Sequence, residues 1–258
     1  MNIVVCVKIA PDPEDLEIGS NGSVSTAHAE WTIGGFDLPA LEAGVRLAEM
    51  HGGKVIALSA GPSSINQSKI KKDILSRGAD ELVLVVDETL RDASTAETAL
   101  VLAAAIRKME DVQLAFFGEG SADLYFQQTG AQVGERLGWL CLNAVQDVRL
   151  IEEGLLQIQR TLDVEMQVLD VPLPAALSVT SDICEPRLAS MRAILQASRK
   201  PVIEWSLADI GIENLAASVE ILAVQAPPRT SRKGVVLGGS VEEAVRSLLN
   251  NLKKEGVL

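Results

Sequence analysis

The stretch that decides the fold is LAFFGEGSADLYFQQTGAQVGERLGW, residues 114–139. It begins with an apolar run of strand length, which ends at a glycine-rich turn starting at Gly118. From Tyr125 onward the pattern is helical, with Val133 and Leu137 four residues apart on one face. The sequence therefore predicts a strand, a sharp turn and a helix in direct succession.

The start of that helix is a candidate anion site. The first amides of a helix have no intrahelical acceptor, and they suit a phosphate group. Here the obvious donors are the amides of Gln127, Gln128, Thr129 and Gly130. The pattern alone is not specific, because most strand–loop–helix units bind nothing and the stretch lacks G-x-G-x-x-G.

Three similar units precede this stretch. Strands are predicted at 3–7, 54–59, 81–86 and 112–117, and helices at 41–50, 63–76 and 95–108, with Ser63, Ser64 and Ser94 as candidate caps. Residues 14–33 read as an irregular excursion. Four β–α units predict an α/β fold, a Rossmann-like parallel sheet with helices on both faces. Ligands of such sheets gather at the carboxyl ends of the strands.

The rhythm changes after this region. Short strand patterns at 146–150, 155–162 and 165–170 predict a β-hairpin insertion before a buried strand at 175–180, and further strands are predicted at 202–205 and 219–224. An extended linker at 226–234 leads to an amphipathic helix at 241–253. We therefore predict an α/β domain over residues 1–225 and a C-terminal linker and arm helix over residues 226–258.

The composition of the chain argues against several classes of function. The net charge of −12 argues against a nucleic-acid partner. No apolar run approaches the roughly 18 residues that a membrane span needs. The three cysteines and two histidines lack metal-ligand or disulfide spacing, so we predict no metal site. The N-terminal residues read as a strand rather than a signal peptide, which predicts a cytoplasmic protein.

Six pieces of the chain, taken in order, resemble the β subunit of electron transfer flavoprotein. They are VVCVKIAPDP, FDLPALEAGVRL, IALSAGP, GEGSADLYFQQTGAQVGERLGW, VPLPAALSVTSDICEPRLASMRAILQASRKPV and PPRT. The resemblance covers nearly the whole chain. The GEGSADLY, QQTG and SDICEPR versions look most like the Fix-type branch, which is linked to carnitine reduction or nitrogen fixation in bacteria.

The resemblance implies a heterodimer. An α subunit holds the electron-transferring FAD, and the β subunit carries an adenine nucleotide at the carboxyl edge of its sheet. This nucleotide is AMP in common members and a second FAD in electron-bifurcating members, which take hydride from NADH. Carried over by position, the nucleotide contacts would be Cys6, Lys8, Ala60, Asp123, Gln127, Gln128, Thr129 and Gly130.

Two departures from the family pattern leave AMP and FAD both open. Common members carry Asn-Pro just before the first helix, where this chain has Gly34-Gly35. The run of three aspartates in many nucleotide loops is reduced here to Asp123, followed by Leu124 and Tyr125.

Residues 184–200 resemble the loop by which the family anchors a dehydrogenase of the acyl-CoA type. Met191 matches the apolar anchor, and Arg187 and Arg192 flank it. A flexible thioether beside cations suits a transient protein contact. Arg187 has an alternative role, which is to hold the loop together.

The resemblance thus implies an electron carrier subunit rather than an enzyme, which agrees with the lack of a visible acid–base pair or activated nucleophile. Electrons would pass from an acyl-CoA dehydrogenase or NADH to a quinone reductase, ferredoxin or reductase. One rival is an adenine-nucleotide sensor of the universal stress type, which normally carries a G-x-x-G phosphate loop. Another is an ATP-cleaving enzyme of the pyrophosphatase-loop type, which needs an S-G-G-x-D-S-like loop after the first strand.

Overall fold

A single large sheet forms the centre of the molecule. The structure is a computed structural model, and it describes residues 1–216, 219–227 and 233–258. In spatial order the strands are β11 (Met166–Pro172), β10 (Leu155–Thr161), β9 (Leu140–Glu152), β12 (Ala175–Val179), β8 (Val112–Gly118), β1 (Asn2–Cys6), β6 (Lys54–Gly61), β7 (Glu81–Val86) and β13 (Val202–Trp205). Neighbouring strands run parallel, except that β10 is antiparallel to β9 and β11. The predicted fold class, with its hairpin insertion, is confirmed.

Helices cover both faces of the sheet. The helices of the described residues are α1 (Asp37–His51), α2 (Ser68–Ser76), α3 (Thr95–Lys108), α4 (Thr129–Leu137), α5 (Met191–Ala197) and α6 (Val241–Lys254), of which α6 buries no residue. Alternate residues of β1 face opposite sides, because successive strand side chains alternate. Ile3 and Val5 pack in the core cluster that includes Leu41 of α1, whereas Val4 packs in the cluster that includes Val101 of α3.

The excursion after β1 is more ordered than the sequence predicted. It contains two small antiparallel pairs, β2 (Ile9–Pro11) with β5 (Trp31–Ile33) and β3 (Glu17–Ile18) with β4 (Val24–Ser25). The chain returns to its starting point, since the Gly34 amide donates to the Lys8 carbonyl at 2.8 Å. This return places the start of α1 beside the end of β1.

Three predicted helix starts are wrong. Helix α1 begins at Asp37, four residues before the predicted residue 41. The helix of the opening stretch begins at Thr129 rather than Tyr125, because Tyr125 and Gln127 have positive φ angles of 48° and 57° that a right-handed helix excludes. Likewise, α2 begins at Ser68, after a separate 3₁₀ turn at Ser63–Ile65, so neither serine of that turn caps it. By contrast, α3 has the predicted bounds and a capping box at Ser94.

Two strand predictions also differ from the structure. Strand β9 begins six residues earlier than residue 146, because its first part pairs in parallel with β12 before its second part pairs with β10. Residues 219–224 form no strand in the structure, and this prediction is wrong. The neighbouring Gln225 makes a single bridge to Ser23.

The C-terminal helix is confirmed as α6, and its apolar stripe is open to solvent. Val245, Leu248 and Leu249 are 46–50% exposed, and no residue of α6 is buried. Part of the predicted linker, residues 228–232, lies outside the described residues. Among the described helices, none is long and apolar enough to cross a bilayer.

Candidate functional site

The ends of β1 and β8 meet the first turn of α1 at one buried carboxyl group. Asp37, the first residue of α1, is 5% exposed. Its Oδ2 accepts the Lys8 amide hydrogen bond at 2.7 Å, and its Oδ1 accepts that of Gly118 at 3.2 Å. One side chain therefore ties together the two strand ends at the carboxyl edge of the sheet.

Two glycines leave room for this carboxyl group. A Cβ atom on Gly34 would lie 2.9 Å from Asp37 Oδ2. A Cβ atom on Gly118 would lie 2.6 Å from Asp37 Oδ1 and 2.6 Å from the Phe36 carbonyl oxygen. Any larger residue at either position would displace the carboxyl group or the backbone beside it.

The electrostatics of this corner are dominated by burial. Burial raises the pKa of Asp37 to about 7, although the amides of Lys8 and Gly118 and the Lys8 charge oppose the rise. Burial, followed by the charge of Asp37, also raises the pKa of the Cys6 thiol. Cys6 therefore remains protonated and acts as a small buried side chain rather than a nucleophile.

An ion pair closes the outer side of the corner. Lys8 Nζ lies 2.5 Å from Asp123 Oδ2 and 2.7 Å from Oδ1. Burial favours the neutral acid, but the hydrogen bonds from Lys8 and Ser121 prevail and lower the pKa of Asp123. The pair links the loop after β1 to the loop after β8, and both residues were predicted to be in the site.

The loop after β8 curls back on itself before α4 begins. The Tyr125 amide donates to the Ser121 carbonyl at 3.1 Å, and the Tyr125 ring packs over Gly120, where a Cβ atom would collide with it. The same ring lies 5.1 Å from the ring of Phe36 in a tilted arrangement. These contacts connect the loop to the segment that precedes α1.

The first amides of α4 are positioned to receive an anion. The Gln132 amide donates to the Gln128 carbonyl at 3.0 Å, so Thr129 and Gly130 precede the first intrahelical donor. Gln128 Oε1 accepts from Thr95 at 3.0 Å. Gln132 Oε1 is buried beside these groups and has no partner within the described residues. Of these groups, the amides of Thr129 and Gly130 are the donors, and they fit a phosphate group of a nucleotide.

The remaining predicted contacts lie on the same edge. Cys6 is in the core cluster on the α3 side of the sheet, and Ala60 of the adjacent strand β6 packs against that cluster. Gly130 lets α4 approach the sheet, since a Cβ atom there would meet Ser178 Oγ and the Phe117 ring. Gln127 is exposed. The structure therefore brings the predicted residues to one edge, at the ends of three strands and one helix.

The second predicted segment, residues 184–200, is fixed to the body at its first end. The guanidinium of Arg187 lies 2.6 Å from Glu42 and 2.7 Å from Glu49, both on α1. Glu42 is only 3% exposed; its burial favours protonation, but the hydrogen bonds from Arg187 and Arg46 prevail and lower its pKa. This geometry agrees with the holding role that the sequence left open for Arg187.

The second end is fixed as well, and the middle is exposed. Lys200 Nζ donates to the carbonyls of Leu75 at 2.9 Å and Ala79 at 2.6 Å. Between these ends, Leu188 and Met191 are 91% and 75% exposed, and Leu195 is 71% exposed. The segment therefore presents apolar side chains from a backbone held at both ends.

Three acids of this architecture were missed as site residues. They are Asp37, Glu42 and Glu49, all on α1. One signal was available, because Glu42 adjoins Leu41 on an otherwise apolar face, and an acid there needs a cation. The role of Asp37 had no local signal, since its partners are 29 and 81 residues away.

The described residues contain no group of three His, Cys, Asp or Glu side chains that could hold a metal ion.

Comparison with known protein families matches most of this chain to one family model. The electron transfer flavoprotein domain family matches residues 22–210, which is more than half of the chain. The chain belongs to the electron transfer flavoprotein domain family.

Proposed function

We propose that this family member is an electron transfer flavoprotein β subunit of the Fix-type branch. It pairs with an FAD-holding α subunit and carries electrons between a dehydrogenase and a downstream acceptor. The observation that carries the proposal is the combination of two features on one chain. The amides of Thr129 and Gly130 stand at the carboxyl edge without an acceptor among the described residues, and an apolar segment is held between Arg187 and Lys200.

The proposed nucleotide site lies within residues 1–225. The amides of Thr129 and Gly130, with the Thr129 hydroxyl, would hold phosphate, because a helix start favours negative charge. Small side chains at Cys6 and Ala60 would let the adenine lie close to the backbone. Lys8, Asp123, Gln127 and Gln128 complete the predicted contacts.

The flavin, when bound in the complex, supplies the redox chemistry. The residues of this chain bind and orient nucleotides, and we assign none of them a bond-making role. The raised pKa of Cys6 supports this assignment, because a protonated thiol is a poor nucleophile.

The segment 184–200 is the proposed contact for a dehydrogenase of the acyl-CoA type. Met191 would enter an apolar pocket of the partner, with Arg192 beside it. Arg187 would mainly hold the segment against α1, through its ion pairs with Glu42 and Glu49, rather than contact the partner. Because few side chains are involved, the contact would be short-lived, as electron shuttling requires.

Residues 226–258 are the proposed arm. The half-exposed apolar stripe of α6 needs a covering surface, and the α subunit is the partner that the family offers. The predicted division at residue 225 places this arm outside the sheet domain.

The test is to co-express the chain with an FAD-binding α subunit from the same gene cluster and to identify the nucleotides released on denaturation. One FAD and one AMP would establish a single-flavin carrier. Two FADs without AMP would establish a flavin on this subunit and favour NADH-driven bifurcation. A chain that forms no complex and releases no nucleotide would overturn the proposal.

A further inference from the structure

We propose that Asp37 is the positioning residue of the nucleotide site, and this inference rests on the function proposed above. Its carboxyl group sets the distance between the end of β1 and the end of β8, between which the loop residues of the site lie. It is not itself a nucleotide contact. Three observations lead to this assignment.

The first observation is the pattern of hydrogen bonds. The two oxygens of Asp37 accept from amides on two different strands, Lys8 at 2.7 Å and Gly118 at 3.2 Å. The side chain of Lys8 forms the ion pair with Asp123, and Gly118 is the last residue of β8, directly before the loop that leads to α4. Movement of this carboxyl group would therefore shift both the residues after β1 and the loop after β8, which together form the proposed site.

The second observation is the fit of the glycines. Gly34 and Gly118 both approach the carboxyl group so closely that a methyl group on either would lie within 3.0 Å of one of its oxygens. The backbone of Gly34 is itself fixed by Lys8, whose carbonyl accepts its amide at 2.8 Å. The three positions Gly34, Asp37 and Gly118 therefore form one interlocked unit.

The third observation is the protonation of the carboxyl group. The charged and titratable groups that face it are Lys8, Asp123 and Cys6, and the Lys8 ammonium is shared with Asp123. Burial raises the pKa of Asp37 to about 7. The ionised carboxylate can accept both amide hydrogen bonds fully, whereas the protonated acid has one weakened acceptor oxygen.

The consequence is that nucleotide affinity should increase as the pH rises through neutrality. The full-length chain, stripped of nucleotide, is titrated calorimetrically with FAD and, separately, with AMP between about pH 6 and about pH 8. FAD is the cleaner probe, because its pyrophosphate stays fully ionised over this range, whereas the phosphate of AMP titrates near its lower end.

The test compares the natural chain with Asp37→Asn, which keeps the size of the side chain but replaces one acceptor oxygen with a donor. We expect roughly tenfold weaker FAD binding at about pH 8, from one lost charge-assisted hydrogen bond, and no rise with pH. The matched control is Glu81→Gln, which removes a buried carboxyl group at the start of β7, paired with Lys54 at the opposite edge. It should bind FAD as the natural chain does.

A second variant keeps the test decisive if Asp37→Asn fails to fold. Gly34→Ala retains the carboxyl group but forces it away from its position, and it should also weaken FAD binding. Equal affinity and an equal pH profile in the variants would overturn the role of Asp37 while leaving the site in place. A natural chain that binds FAD with falling affinity as the pH rises would do the same. A natural chain that binds neither FAD nor AMP would overturn both proposals.

Discussion

The carboxyl edge of the sheet and the segment 184–200 are both fixed to acids of α1, the edge through backbone amides and the segment through one side chain. At the edge, the acid on α1 is Asp37, and it accepts backbone amides, so that the strand ends themselves are immobilised. At the segment, the acids are Glu42 and Glu49, and they hold a single side chain, Arg187, while the residues beyond it remain exposed. One helix thus supports both the proposed nucleotide site and the proposed contact surface for a partner protein.

The two regions also differ in the chemical groups that they present to a binding partner. At the edge, backbone amides at the start of α4 have no acceptor in the part of the chain that the structure describes, and such amides suit a small anion that stays bound. The segment leaves apolar side chains free, which suit a protein that binds and departs. Four variants can break or sharpen this distinction.

The largest expected effect concerns Asp37 and the stability of the fold. Its pKa is raised from 3.8 to about 7 in the folded state, so its stabilising contribution is full below about pH 4 and is lost as the pH rises through about 7. The free energy of unfolding of the natural chain minus that of Asp37→Asn should fall by about 4 kcal/mol over this range, as an upper bound. Urea unfolding at several pH values measures this difference. Parallel stability curves for the two proteins would contradict the burial of an ionisable group there.

The next effect concerns the anchor of the segment. Arg187→Met removes the guanidinium from the buried Glu42 while keeping an unbranched side chain. We expect a loss of about 2 kcal/mol in unfolding free energy, less than for a fully buried pair because Arg46 still contacts Glu42. Chemical denaturation provides the measurement.

The matched control for that variant is Arg192→Met, which removes an exposed arginine five residues after Arg187 in the same segment. Its unfolding free energy should stay within about 0.5 kcal/mol of the natural value. If both arginine variants lose the same stability, Arg187 is not an anchor.

A smaller effect is expected at the exposed tip. Met191→Glu should slow electron transfer with the partner dehydrogenase roughly tenfold, because a charge replaces the apolar contact, while the FAD content of the complex stays the same. Stopped-flow kinetics of flavin reduction measures the rate, and Met191→Leu is the control that should retain it. An unchanged rate in the glutamate variant would exclude this segment as the docking surface.

The smallest effect is expected at the start of α4. Thr129→Val should weaken nucleotide retention roughly fivefold, as one hydroxyl hydrogen bond is lost. The nucleotide content after purification measures the loss. Thr161→Val, on the hairpin strand β10, is the control. If Thr129→Val retains as much nucleotide as the control, the phosphate does not lie at this helix start.

Local patterns predicted most of the sheet. Strand β7 and helix α3 have the predicted bounds, because apolar runs and the capping box at Ser94 specify them within a few residues. The start of α4 was misplaced because Tyr125 and Gln127 adopt left-handed backbone angles, which residues of these types rarely do. The early part of β9 was missed because its partner, β12, lies more than thirty residues later in the chain.

In the candidate site, too, some residues could be predicted from the sequence and others could not. Lys8 and Asp123 were predicted from the family resemblance, and the structure places them in contact. The acid Asp37 was not predicted as a site residue, because its amide partners come from strands far away in sequence. Long-range hydrogen bonds of a single side chain leave no periodic signal in the sequence.

The most direct test of the account is an anaerobic reduction of the purified complex of this chain with its FAD-binding α subunit. Reduced acyl-CoA dehydrogenase and NADH are added in separate titrations, and the flavin absorbance is followed. The account predicts that one of these donors bleaches the flavin, and that Met191→Glu slows the bleaching by the dehydrogenase. A flavin that stays oxidised with both donors would contradict the assignment of this chain to an electron carrier.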